Sequence, residues 1–226
     1  MNHAVLKSLT TGFTPVINPS FIQEDYFPLD LSIANLELDL DLLSRPNDHH
    51  IHLQTFLKKN NSKVGYGGYL EQRALYDRSD YFQAKTAQDK RNIHLGIDLW
   101  CDAGTAVISP LGGKIHSFQI NKNFGDYGPT IIIKHNIEGQ IFHTLYGHLS
   151  LESLHGKKVE QSIEAGEVIG SLGNPEVNGD YAPHLHFQIV VNMQRNEGDY
   201  PGVCSLNTLD FYRRNCADPN LVLKIY

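Results

Sequence analysis

A chain of 226 residues, 41% hydrophobic, can bury a core without disulfide support and fits one large domain or a compact domain with an addition. Its formal net charge of -6 and isoelectric point near 6.0 argue against nucleic-acid and anionic-membrane partners, whose interfaces draw on concentrated Lys and Arg. Three scattered cysteines, Cys101, Cys204 and Cys216, describe no disulfide framework and read as thiols of a reducing compartment.

Residues 1–20 lack both a basic start and a continuous apolar run, so they do not read as a secretory signal. No segment approaches the length of a membrane span. The default compartment on these grounds is the cytoplasm. Residues 29–33 (LDLSI) and 36–42 (LELDLDL) alternate apolar with polar, the pattern of half-buried strands, which makes Asp30, Glu37, Asp39 and Asp41 a solvated strand face. Pro46 ends that section, and Asp48 is placed to cap a helix through about Lys59. The HHIH cluster on this helix (His49, His50, His52) points to different sides, so it is read as structural rather than ligating.

Residues 60–69 (NNSKVGYGGY) form a turn-rich break and the boundary between an N-terminal region, 1–70, of strands plus a short helix and a main domain, 71–226, with its core at 92–191. Gly65, Gly67 and Gly68 do not make a phosphate loop, since the Gly-Lys-Ser/Thr ending is absent. Residues 71–82 are compatible with a helix. From 94 to 189 the chain turns to short Val/Ile/Leu runs divided by glycines, as in an antiparallel β domain, with strands expected near 106–109, 114–119, 130–135, 142–146, 168–172 and 184–191. Two stretches, AGTAVISPLGG at 103–113 and AGEVIGSLG at 165–173, echo each other in a way consistent with a duplicated unit. The C-terminal part carries no catalytic pattern.

Three stretches carry chemistry: NIHLGIDLW at 92–100, LYGHLS at 145–150 and APHLHFQI at 182–189. On a strand, His184 and His186 share one face about 6.6 Å apart, and Gly96 allows a bend that lets His94 and Asp98 converge. Five such residues exceed what a catalytic zinc with an open position binds, so three would hold metal and two histidines would move protons or stabilise an oxyanion. The remaining histidines outside the HHIH cluster, His3, His116, His135, His143 and His155, are assigned to structure or surface.

The sequence resembles the lysostaphin-like (LytM-type) zinc metalloendopeptidases over about residues 94–191, through HLGIDLW, AGTAVISPLGGKI, TLYGHLS, AGEVIGSLG and PHLHFQI in the family's order. The resemblance implies zinc held by His94, Asp98 and His186, with His148 and His184 as the catalytic pair. It implies a mainly β fold, an antiparallel β-sheet catalytic domain of duplicated hybrid-motif type, here with an α+β N-terminal addition. The activity implied is zinc-dependent hydrolysis of a peptide amide, in peptidoglycan cross-links or related peptides; the competing reading is a zinc-containing binding or regulatory module without turnover. Peptidoglycan as substrate implies a periplasmic or extracellular site of action, against the default drawn from the N-terminus. In some relatives a segment ahead of the catalytic domain covers the groove, a role open to GYGGYLEQR at 65–73. The chain departs from the family at NGDYAPHLHFQ, where Gln188 stands in place of the usual glutamate.

Overall fold

The computed structural model describes residues 3–226; Met1 and Asn2, at the head of the expected N-terminal region, and the side chain of His3 lie outside the described residues. The fold is mainly β. Its strands are β1 (Tyr26–Pro28), β2 (Val64–Gly67), β3 (Ile93–His94), β4 (Ile97–Trp100), β5 (Ala106–Ile108), β6 (Gly113–Asn121) and β7 (Gly128–Ile137). They continue with β8 (Gln140–Gly147), β9 (Ser162–Ile163), β10 (Val168–Ser171), β11 (His184–Val190), β12 (Val203–Cys204) and β13 (Cys216–Ala217). Among the described residues a nine-stranded sheet runs β1-β2-β4-β11-β8-β7-β6-β9, with β13 beside β11. Every pairing in it is antiparallel except that of β1 with β2.

The period-two alternation of β4 and β11 decides which side chains meet. Ile97, Leu99, Leu185, Phe187 and Ile189 enter the main core on one face, all fully buried. Burial of each Leu or Phe there contributes roughly 1.5–3 kcal/mol. Asp98, Trp100, His184 and His186 therefore stand on the other face, in a register that sets His186 opposite Asp98 and His184 opposite Trp100. The two echoed stretches meet: β5 and β10 pair antiparallel, and Gly104 N–H and Leu172 N–H donate to Leu172 O and Thr105 O at 2.9 Å each.

The N-terminal half differs from its expected strands. Residues 29–39 are turns, followed by the short helix α2 (Leu40–Leu43, the second helix after α1, His3–Ser8). Short polar side chains there offer the backbone local partners that outcompete a strand ladder. Asp30 Oδ1 accepts from Ser32 N at 2.9 Å, Asn35 Oδ1 from Glu37 N at 3.1 Å and Asp39 Oδ1 from Leu42 N at 2.9 Å. The four carboxylates are solvated as expected, on turns and α2 rather than on a strand.

The next helix, α3 (Pro46–Lys59), begins with Pro46 at its first turn and Arg45 as N-cap. Asp48 lies inside the first turn, paired with Arg45 at 3.0 Å, where a carboxylate favours the helix dipole. Within 60–69 turns stand at the two ends, at Asn60–Asn61 and Tyr69, since Val64–Gly67 forms β2 and pairs with β4. Residues 71–82 form two 3-10 turns, Leu75–Arg78 and Asp80–Phe82, instead of a helix. Near the C-terminus α4 (Leu209–Asn215), β13 and α5 (Asn220–Leu223) add order that no sequence pattern announced. All three cysteines are buried free thiols.

His135 is a core histidine, its Nδ1–H donating to Gly112 O at 2.9 Å and its other nitrogen 2.8 Å from Thr144 Oγ1. Burial pulls its pKa from 6.5 down to about 4. The unfolded chain takes up the proton first, so stability should be full above about pH 6.5 and fall until about pH 4. The loss from this residue is on the order of 3 kcal/mol. Thermal melts of metal-free protein from pH 7 to 4 should show that slope, flattened in His135→Gln.

Candidate metal centre

Three elements bring the donors together. His94 ends β3, Asp98 lies within β4 and His186 within β11, and Gly96 sits between the first two. The convergent atoms are His94 Nε2, Asp98 Oδ1 and His186 Nδ1, separated by 2.9 Å (His94 to His186), 3.0 Å (His186 to Asp98) and 3.2 Å (His94 to Asp98). Donors around a tetrahedral zinc at 2.0–2.1 Å would stand ~3.3 Å apart, so the trio fits that ion with little adjustment. It is the metal-capable cluster among the described residues.

The atom of each ligand that points away from this focus is also occupied. His94 Nδ1–H donates to Gly68 O at 2.9 Å, leaving Nε2 as the lone-pair donor. His186 Nε2–H donates to Gln188 Oε1 at 2.9 Å, while the Gln188 amide donates to Pro201 O at 3.1 Å. Gln188 thus performs without charge the orienting task open to a carboxylate. Asp98 Oδ2 accepts from Arg73 Nη1, and Arg73 Nε donates to Glu71 Oε2. Arg73 is 1% exposed. Burial works to raise the Asp98 pKa, but the charges of His94 and Arg73 outweigh it and hold the carboxyl well below its usual range.

The other two histidines stand beside the trio. His148 Nδ1–H donates to Asn178 O at 2.6 Å and His184 Nδ1–H to Ala182 O at 2.8 Å, so both Nε2 atoms are lone-pair acceptors. Their rings lie 4.2 Å apart between centroids, and His184 Nε2 is 4.0 Å from Asp98 Oδ1. His184 stacks on Trp100 at 5.4 Å, and Tyr181 closes on both rings edge-on. His148 has φ +61°, a left-handed conformation rare outside glycine, held by His148 N–H to Tyr127 O at 2.8 Å and Gly173 N–H to His148 O at 2.9 Å. Burial lowers the pKa of His94 to about 4, that of His148 well below its ordinary value and that of His184 below it as well. Neutral imidazoles are the form that binds metal and accepts protons.

Gly96 serves close approach. A Cβ on it would lie 2.6 Å from Phe187 O and 2.8 Å from His186 Cε1. Gly96→Ala should therefore displace β11 and His186, and titration with Zn2+ should show binding weakened by at least about tenfold, a change of ~1.4 kcal/mol. Unaltered zinc affinity would show that β11 can yield without moving the ligand.

All five residues expected at the site are brought together, each 1–5% exposed. The HHIH cluster divides as its helical spacing implies: His49 is buried, His50 meets Asp102 at 3.2 Å and His52 is exposed. His49 nevertheless lines the cavity that opens onto the site, a position its helix alone does not reveal. Glu71, Arg73, Tyr127 and Tyr181 carry no sequence pattern that marks them as part of the site. The one local signal is Gly67, where a Cβ would lie 2.9 Å from Trp100 and 3.1 Å from Arg73, marking a close backbone approach. GYGGYLEQR supplies Gly68 O and Arg73 to the ligands' outer atoms, with Glu71 accepting from Arg73 in turn.

Residues 92–197 match the family described as Peptidase family M23. The chain is similar to lysostaphin of Staphylococcus staphylolyticus, 33% identical over 104 residues, and to lysostaphin of Staphylococcus simulans, 32% identical over 104 residues. Each match covers 46% of this chain but only 20% and 19% of the relative, so the chain spans about a fifth of the curated relatives it matches. Among solved structures, the catalytic domain of the antimicrobial peptidase lysostaphin from Staphylococcus simulans aligns with 68% of this chain and 94% of its own at 26% identity, with a TM-score of 0.40. Residues 92–197 of this chain are thus similar to peptidase family M23 and, within it, to lysostaphin.

Proposed function

We propose that this chain is a zinc metalloendopeptidase that hydrolyses a peptide amide, of the kind found in peptidoglycan cross-links and related peptides. The observation that carries the reading is the convergence of His94 Nε2, Asp98 Oδ1 and His186 Nδ1 within 3.2 Å, with their outer atoms engaged by Gly68, Arg73 and Gln188. Residues 1–70 act in this reading as an N-terminal region built onto the peptidase domain of 71–226.

Zinc held there would act as a Lewis acid toward the scissile carbonyl and bring the pKa of a coordinated water to about 7. His184 and His148 present neutral Nε2 atoms beside the ligands, able to accept a proton from the attacking water and return it to the leaving amine. Their Nδ1–H groups are anchored on backbone carbonyls, which fixes tautomer and orientation before substrate arrives. As a protonated imidazolium, either would stabilise negative charge on the carbonyl oxygen.

Elemental analysis of the full chain should return one zinc per molecule. Mass spectrometry after incubation with peptidoglycan digests and a peptide library should show new amine and carboxyl ends, absent with a chelator. Full zinc occupancy without cleavage of any substrate would instead favour a binding or regulatory module.

A further inference from the structure

The metal-site residues open onto a cavity of about 350 Å³ whose far walls come from outside the three motifs. That volume is at the low end for small-molecule sites, which run ~300–1,000 Å³. One wall is the stretch 75–82, which acts as a strap fastened at both ends. On one side Ser79 Oγ donates to Phe124 O at 2.8 Å, and the Arg78 guanidinium donates to Asp180 O while lying 4.3 Å from the Tyr181 ring and 5.0 Å from that of Phe124. On the other, Arg91 N–H donates to Phe82 O at 3.1 Å, and the Arg91 guanidinium lies over Tyr81 and Phe82 at 5.4 and 5.5 Å. His49 of α3, residues 199–203 and Tyr212 also line the cavity, with Val203 packed on Tyr76 and Phe82 of the strap.

A bond inside a cross-linked polymer has chain on both sides and needs a groove open at two ends. The anchored strap gives this cavity a fixed wall beside the metal-site residues, which restricts a bulky polymer more than a short chain. The lining supports that preference: alongside aromatic rings it presents charges of both signs, Asp126 and Asp199 with Arg91. These suit a short peptide, which brings its ammonium and its carboxylate close together. Burial raises the Asp199 carboxyl pKa, with the Asp126 charge adding to it, so a cation arriving there would relieve both.

We infer that the substrate of this site is a short peptide, or the free end of one, rather than a cross-link within an intact polymer. This rests on the peptidase reading above and narrows it. Soluble muropeptides, released from peptidoglycan by a glycan-cutting enzyme, and the sacculi they come from carry the same amide bonds. With zinc-loaded full-length protein, cleavage per bond should be at least roughly tenfold faster on muropeptides. A linear pentapeptide should likewise be cut and its head-to-tail cyclised form spared, and cleavage confined to di- to hexapeptides would also support the inference.

Arg78→Ala and Ser79→Ala loosen the strap without touching a ligand, so either should narrow the gap by raising cleavage of sacculi. Circular dichroism and zinc content would verify that each variant is folded. Equal rates on sacculi and muropeptides in the starting protein, or an unchanged gap in both folded variants, would overturn the inference while leaving the peptidase reading intact. Cleavage of nothing by fully loaded protein would overturn the peptidase reading itself.

Discussion

Arg73→Ala is expected to destabilise the protein by roughly 3–5 kcal/mol, the cost of leaving one member of a buried ion pair without its partner. The Asp98 carboxylate sits on β11's neighbour strand at 3% exposure, and Arg73 is the cation that engages its Oδ2. Without the guanidinium, Asp98 either stays charged in a poorly solvated site or takes up a proton. A protonated Asp98 is a poor metal ligand, so zinc affinity should fall by about 10–100-fold, as when groups that orient a ligand are lost. Arg73→Lys should recover part of the stability only, because an ammonium cannot present the fork that joins Glu71 to Asp98. Urea denaturation of the metal-free protein and competition with a chelator measure the two effects separately. Wild-type values for both in Arg73→Ala would show that Asp98 needs no partner beyond the two histidines.

His148→Ala should keep zinc at full stoichiometry and lose about 10²–10⁴ in turnover, the usual worth of a positioned acid-base group. Its Nε2 is not among the converging donors, and its backbone is held by hydrogen bonds to Tyr127 and Gly173 that do not involve the ring. His186→Ala should behave oppositely, losing the metal and with it all turnover, because Nδ1 is one of three donors. Zinc analysis paired with product mass spectrometry distinguishes them. Loss of zinc in His148→Ala, or unimpaired turnover, would contradict the division of roles between the two histidines.

Much of this centre is legible in the amino-acid sequence, because its donors lie in glycine-punctuated β segments whose side-chain direction follows from period two. His184 and His186 must share a face once 184–191 forms a strand. Asp98 follows from β4, and Gly96 stands out as the residue between the paired ligands. The expected bend is present, and β11 packs against it so closely that no Cβ fits. Residues 29–42 mislead for a related cause. Their alternation is genuine, but Asp30, Asn35 and Asp39 bond their own backbone, and period two carries no information about that competition.

Local spacing and burial preference are enough to specify the candidate donors, the strands that carry them and the sheet-forming character of residues 93–190. The surroundings of those donors depend instead on long-range packing. Arg73 reaches Asp98 across 25 positions of chain, His49 reaches the cavity from a helix of the N-terminal region, and residues 75–82 cross to Phe124 and Asp180. Such contacts arise from how separately folded segments come together, with no periodicity in the chain to announce them. In this protein they hold the Asp98 carboxylate in its charged form and shape the cavity beside it.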